Sequence, residues 1–128
     1  MLHHISLPVS DLPAAKALYT AALAALGYRL VAESAGFAGF GVTAGEDRLA
    51  LVARRPAIAA GPGFHLALAA PSRAAVAAFH AAALAHGARD NGAPGLRPQY
   101  GAGYYAAFVI DADGHRLEAV HKSEAGNV

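Results

Sequence analysis

The feature that most constrains this chain is an internal repeat. His4-Ile5-Ser6-Leu7 aligns with His65-Leu66-Ala67-Leu68 at an offset of 61, and the offset still holds where Leu23 meets Leu84. Within that stretch Asp11 meets Ser72, and Leu18 meets Phe79. One residue is then lost, so that Gly27 meets Gly87. Phe40 meets Phe108, and Arg48-Leu49-Ala50 meets Arg116-Leu117-Glu118 at an offset of 68. A period of this length means one supersecondary unit used twice, so the fold question reduces to the unit.

Each copy reads as strand, helix, then short strands. Ile5, Leu7 and Val9 alternate with His4, Ser6 and Pro8, as in a half-buried strand. Asp11 is a fair N-cap and Pro13 suits the first helical turn. Leu12, Ala15, Leu18, Tyr19, Ala22, Leu23 and Leu26 form an apolar stripe that Gly27 stops. In the second copy Phe64, Leu66 and Leu68 alternate with His65, Ala67 and Ala69. Ser72 caps a helix whose stripe includes Val76, Phe79, Ala83 and Leu84. Short strands are expected over 28–33, 37–42 and 48–53, and again over 104–110 and 116–121 around the turn Asp111-Ala112-Asp113-Gly114. Residues 90–103, rich in Gly and Pro, read as a long loop present only in the second copy. The expectation is α+β: a single domain of two tandem βαβββ modules, the first over about 1–56, a linker over about 57–62, and the second over about 63–123.

Composition excludes several classes. The chain has 128 residues, 55% apolar and 15% charged, too apolar for a disordered polymer. No uncharged apolar run approaches the roughly 18 residues of a spanning helix, so no membrane partner is expected. Net charge is +1 and the densest basic spot is the pair Arg54-Arg55, which argues against nucleic acid. Without cysteine there is no disulfide, thiolate nucleophile or Cys-type zinc site. The start of the chain lacks the pattern of a signal peptide, and a cytoplasmic location is expected.

The strand faces carry the functional argument. If each helix covers Ile5/Leu7/Val9 and Phe64/Leu66/Leu68, then His4 and His65 lie on the helix-free faces at matched positions. In the last strand Arg116, Glu118 and Val120 share one face, and the repeat mate of Glu118 is Ala50. A carboxylate within Leu117-Glu118-Ala119-Val120 is costly unless it is partnered. Two imidazoles and one carboxylate, with the fourth position vacated, have the composition of an open divalent-metal site. Taken singly, strand histidines are more often structural, and no short metal motif such as His-Glu-x-x-His is present.

Three segments carry a resemblance: His4-Ile5-Ser6-Leu7-Pro8-Val9-Ser10-Asp11-Leu12, His65-Leu66-Ala67-Leu68, and the run from Asp111 to Val120. With them, the chain resembles the vicinal oxygen chelate superfamily of glyoxalases, extradiol dioxygenases, fosfomycin-resistance transferases and bleomycin-resistance proteins. The loop from Asn91 to Pro98, followed by Tyr104-Tyr105-Ala106-Ala107-Phe108, resembles a glyoxalase-like branch of it. The resemblance implies a curved mixed sheet around a cleft, helices on the outer face, and a homodimer. It implies metal ligands at His4, His65 and Glu118, and it makes Ala50 a departure from the four-ligand glyoxalase pattern.

A divalent ion there (Zn, Fe, Mn, Ni or Co) would chelate two neighbouring oxygens of a small-molecule substrate. The expected activity is that of a metal-dependent lyase, isomerase or dioxygenase. The alternative is a metal-free drug-binding protein of the bleomycin-resistance type. Glu118 and Tyr105 are the candidate catalytic groups, Arg97 and Tyr100 the candidate substrate contacts. Tyr104, Phe108 and Ile110 are assigned to the core face, and His121, opposite Glu118, to solvent. His3, His80, His86 and His115 are expected to be structural or surface residues.

Overall fold

A computed structural model describes residues 1–123. The first module comprises strand β1 (Ile5–Val9), helix α1 (Leu12–Ala24) and strands β2 (Arg29–Ser34), β3 (Phe37–Gly41) and β4 (Leu49–Ala53). The second comprises β5 (Leu66–Ala69), α2 (Arg73–Ala85), β6 (Arg89–Leu96), β7 (Tyr104–Ile110) and β8 (Arg116–Lys122). The strands form two four-stranded sheets of the same topology, β1-β4-β3-β2 and β5-β8-β7-β6. In each, the first strand runs parallel to the last, because the helix carries the chain to the far edge strand and two antiparallel turns bring it back beside the first. The fold is therefore α+β, built from two tandem βαβββ modules.

Local chemistry sets the helix ends. The Asp11 carboxylate accepts from the Ala14 N–H at 3.1 Å, and the Ser72 hydroxyl from the Ala75 N–H at 3.0 Å. Gly27 and Gly87 end the helical turns at φ of 92° and 97°, a region costly for any residue with a Cβ. Leu18, Tyr19, Ala22 and Leu23 bury one face of α1, and Ala75, Val76, Phe79, His80 and Ala83 one face of α2. Each fully buried Leu or Phe contributes roughly 1.5–3 kcal/mol. Leu84 lies outside that stripe, at 37% exposed, and His80 occupies the buried position instead, bonded through Nε2 to Asp90 at 2.9 Å.

One hydrophobic cluster runs through both modules, and α1 packs on α2. The β7–β8 turn clasps the end of β1 from the other module. Tyr19 donates its hydroxyl to Asp111 at 2.6 Å, Ser10 donates to Asp113 at 2.7 Å, and His115 Nε2 donates to the Pro8 carbonyl at 2.6 Å. Burial, then the adjacent Asp111 charge, pushes the Tyr19 phenol well above its ordinary range. His115 is thus buried and structural.

Two expectations need correction. Residues 90–103 are not one loop: Arg89–Leu96 is strand β6, followed by a short 3-10 turn at Pro98–Tyr100. Pairing with β7 overrides the local Gly/Pro signal, and the ladder accommodates it by irregularities between Asp90 and Gly92 and between Gly92 and Gly95. Second, Phe40 and Phe108 are not structural mates. Phe40 pairs with Leu49 and is buried on the helix side, whereas Phe108 pairs with Glu118 on the helix-free face. The mate of Phe108 is Gly39, which pairs with Ala50. A one-residue slip in a strand moves every side chain to the other face. Among the described residues, no helix is long and apolar enough to cross a membrane.

Candidate functional site

The helix-free face of the second module gathers the functional side chains. In the parallel β5–β8 ladder Ala67 lies opposite Glu118, and in the antiparallel β7–β8 ladder Phe108 does. His65, two residues before Ala67, shares their face. Its Nε2 lies 2.8 Å from Glu118 Oε1, while the Tyr104 hydroxyl donates to Oε2. Glu118 is only 1% exposed, whereas the His65 side chain is 49% exposed. Both oxygens of this buried carboxylate are therefore partnered, which offsets the cost of removing it from water. Burial, then the bond to Glu118, pushes the Tyr104 phenol up to about 12.

Above this pair opens a depression of about 230 Å³ lined by Phe64, His65, Asn91, Tyr100, Phe108 and Arg116. Phe108 packs edge-on to His65, with ring centroids 6.1 Å apart. Gly92, at φ 150°, makes room for the Phe108 ring: a Cβ there would meet Phe108 Cδ1 at 2.9 Å.

The remaining candidates divide. Tyr100 is 60% exposed, lines the depression and stands 5.4 Å from Tyr104, ring to ring. Arg97 reaches the same face, but its guanidinium donates to the Gly95 and Ala93 carbonyls at 2.9 and 2.8 Å and lies 5.4 Å over the Phe108 ring. Tyr105 lies on the other face: it packs against the core and under the Arg73 guanidinium, 5.1 Å away. His121, its ladder partner, is half-buried and bonded to the Ala70 carbonyl at 3.0 Å rather than facing solvent. Tyr104 and Phe108, assigned to the core from sequence, face Glu118 instead. The signal for this was present, since a hairpin centred on Asp113 pairs residue 108 with 118 and 104 with 122.

His4 does not join the cluster. It is exposed, and its Nδ1 lies 2.8 Å from that of His3. The reason is the clasp, which sets the end of β1 at Pro8, not its start, beside the beginning of β8. His4 is four residues away, or roughly 13 Å of extended strand. Among the described residues, no three His, Asp or Glu side chains gather as one ion's ligands. The matching face of the first module is covered around Ala50. Ala50 is fully buried, and the chain after β3 folds over its neighbours. A Cβ on Gly39 would meet Asp47 Cβ at 2.7 Å, and one on Gly41 the Glu46 carbonyl oxygen at 2.4 Å.

Two of the expected donors, His65 and Glu118, are of a chemistry that suits a divalent ion. Two ligands each about 2.1 Å from one ion stand roughly 3.0–3.4 Å apart, so the 2.8 Å hydrogen bond between His65 and Glu118 would open by a few tenths of an ångström to admit one. The Tyr104 bond to the second carboxylate oxygen is the kind of outer contact that orients a ligand.

The fold and this face define a protein of paired βαβββ modules with a small open cleft. Residues 1–119 match the model of the glyoxalase/bleomycin resistance protein/dioxygenase superfamily, and the chain belongs to that family. Among solved structures it is similar to a glyoxalase/bleomycin resistance protein from Albidiferax ferrireducens T118, with 28% identity, a TM-score of 0.81, and coverage of 94% of this chain and 98% of that one. A glyoxalase-related enzyme from Fulvimarina pelagi shares the fold at 17% identity and a TM-score of 0.71, covering 98% and 99% of the two chains. So does the E144Q mutant of glyoxalase I from Zea mays, at 18% identity and a TM-score of 0.68, over 96% of this chain and 46% of that one. Among curated proteins, none matches the chain.

Proposed function

We propose that this chain is a metal-dependent small-molecule enzyme of the glyoxalase or dioxygenase type, acting on a substrate that presents two neighbouring oxygens. The observation that supports it is the buried Glu118 carboxylate shared by His65 and Tyr104 on an open face. His65 and Glu118 would hold a divalent ion (Zn, Fe, Mn, Ni or Co), with His4 of the partner subunit completing the set in a homodimer. Two features support a second copy. Both β1 and β5 are edge strands. Half-buried Ile5, Leu66 and Leu68 also line an apolar cavity of about 90 Å³ beside those edges.

When bound, the ion would act as a Lewis acid on the substrate oxygens. Tyr104 holds the Glu118 carboxylate in place and, as a phenol kept protonated far above neutral pH, keeps that bond throughout the working range. Phe108 and Tyr100 supply apolar walls, and the Arg97 guanidinium lies over the Phe108 ring.

A second reading is metal-free binding of a small molecule in the same cleft. It is favoured by the separation of His4 from the cluster and by the partners Glu118 already has. Thermal unfolding with and without chelator, on protein purified without an affinity tag, separates the two. The metal reading expects chelator to lower the wild-type midpoint and to leave His65→Ala and Glu118→Gln unmoved, since an ion bound only to the native state stabilises it. A wild-type midpoint indifferent to chelator and to added Zn, Mn, Ni or Fe(II) moves the conclusion to binding alone.

A further inference from the structure

The repeat supplies an internal control for one more residue. Arg48 and Arg116 occupy matched positions, Arg48 immediately before β4 and Arg116 at the start of β8, the last strands of their modules. The Arg48 guanidinium is engaged, donating to the His3 carbonyl at 3.0 Å. The matching bond, from Arg116 to the Phe64 carbonyl, is not made. Among the described residues Arg116 has neither a hydrogen-bond partner nor a salt bridge, and it lines the cleft beside His65.

The rest of the lining settles what this cation faces. Phe64, Tyr100 and Phe108 offer ring surfaces, and Asn91 a neutral amide. The nearby carboxylate, Glu118, is buried beneath His65 and Tyr104. The second arginine near the cleft, Arg97, spends donors on its own strand. So, among the described residues, the cleft holds one uncommitted guanidinium among aromatic walls, with no exposed carboxylate in its lining. At about 230 Å³ it falls below the roughly 300–1,000 Å³ of sites for drug-sized ligands, and suits a single substituted ring.

We infer that Arg116 is the anchor for a carboxylate on a small planar substrate, whose ring lies against Phe108 and Tyr100. A guanidinium fork matches the two oxygens of a carboxylate, and the anion lies beside His65 without touching Glu118. This rests on the cleft being the substrate site, but not on the metal.

Benzoate and benzamide, alike in shape and different in charge, are the probes, titrated by ligand-observed NMR in the presence of chelator. Wild type is expected to bind benzoate about tenfold more tightly than benzamide. Arg116→Gln should abolish that preference while leaving benzamide affinity and the unfolding midpoint in place, and Arg116→Lys should retain part of it. Equal affinities in wild type, a preference that survives in Arg116→Gln, or no binding of either probe up to about 20 mM overturns the inference. Because chelator is present throughout, a lost metal reading leaves the charge preference standing. A lost preference, in turn, leaves the chelator result on thermal stability unchanged.

Discussion

The Tyr104 hydroxyl and the Glu118 carboxylate are bonded across the β7–β8 hairpin, on a face where Glu118 itself is almost wholly out of contact with water. Removing the donor strands one carboxylate oxygen. Tyr104→Phe is therefore expected to cost about 1–3 kcal/mol, the penalty of a buried acceptor left unpaired. The unfolding midpoint should fall by several degrees. A midpoint within error of wild type would mean that Oε2 finds water or another donor.

Burial of Tyr104, together with the same bond, sets an alkaline limit. Tyr104 is held up to about 12, against about 10 in an unfolded chain. Between those values the unfolded chain releases a proton that the native state keeps. This contribution to stability is full below about pH 10 and is lost as pH rises through 12. Tyr19, shifted in the same direction by burial and by Asp111, adds to the loss. Denaturant midpoints measured from pH 9 to 11 should fall with pH in wild type and fall less steeply in Tyr104→Phe. Parallel slopes would show that Tyr104 titrates normally.

Restoring a carboxylate at the vacated repeat position should fail. Ala50 is fully buried beside Gly39, whose Cβ position is already crowded by Asp47. Ala50→Glu places a charge and four extra heavy atoms in this packed position. It is expected to destabilise the fold by several kcal/mol rather than to strengthen metal binding. Thermal unfolding with and without added Zn distinguishes the two outcomes.

If His4 of the partner subunit completes the site, two dead variants should rescue each other. His4→Ala and Glu118→Gln homodimers each lack a complete ligand set. Subunits exchanged at equal ratio yield heterodimers with one intact site, about a quarter of all sites in the mixture. Bound metal, measured after removal of loosely held ion, should rise to that level. A mixture no better than its components would place His4 outside the site.

The sequence by itself determined whatever depends on neighbours along the chain. Asp11 and Ser72 cap helices, Gly27 and Gly87 end them, and the offset of 61 announces the repeat. Alternation also placed His65 and Glu118 on one helix-free face, where they meet. The tertiary structure alone decided matters that turn on a single residue of register or on the packing of one module against the other. Period-two alternation defines two faces without saying which is covered, so Tyr104 and Tyr105 were exchangeable until β7 paired with β8 about Asp113. β6 became a strand because pairing with β7 satisfied its backbone despite Gly92, Pro94 and Gly95. The place of His4 follows from where the modules clasp, through Tyr19, Ser10 and His115, contacts made between residues about a hundred positions apart. Such contacts are chosen by total burial and hydrogen-bond satisfaction over the whole chain, which no local pattern encodes.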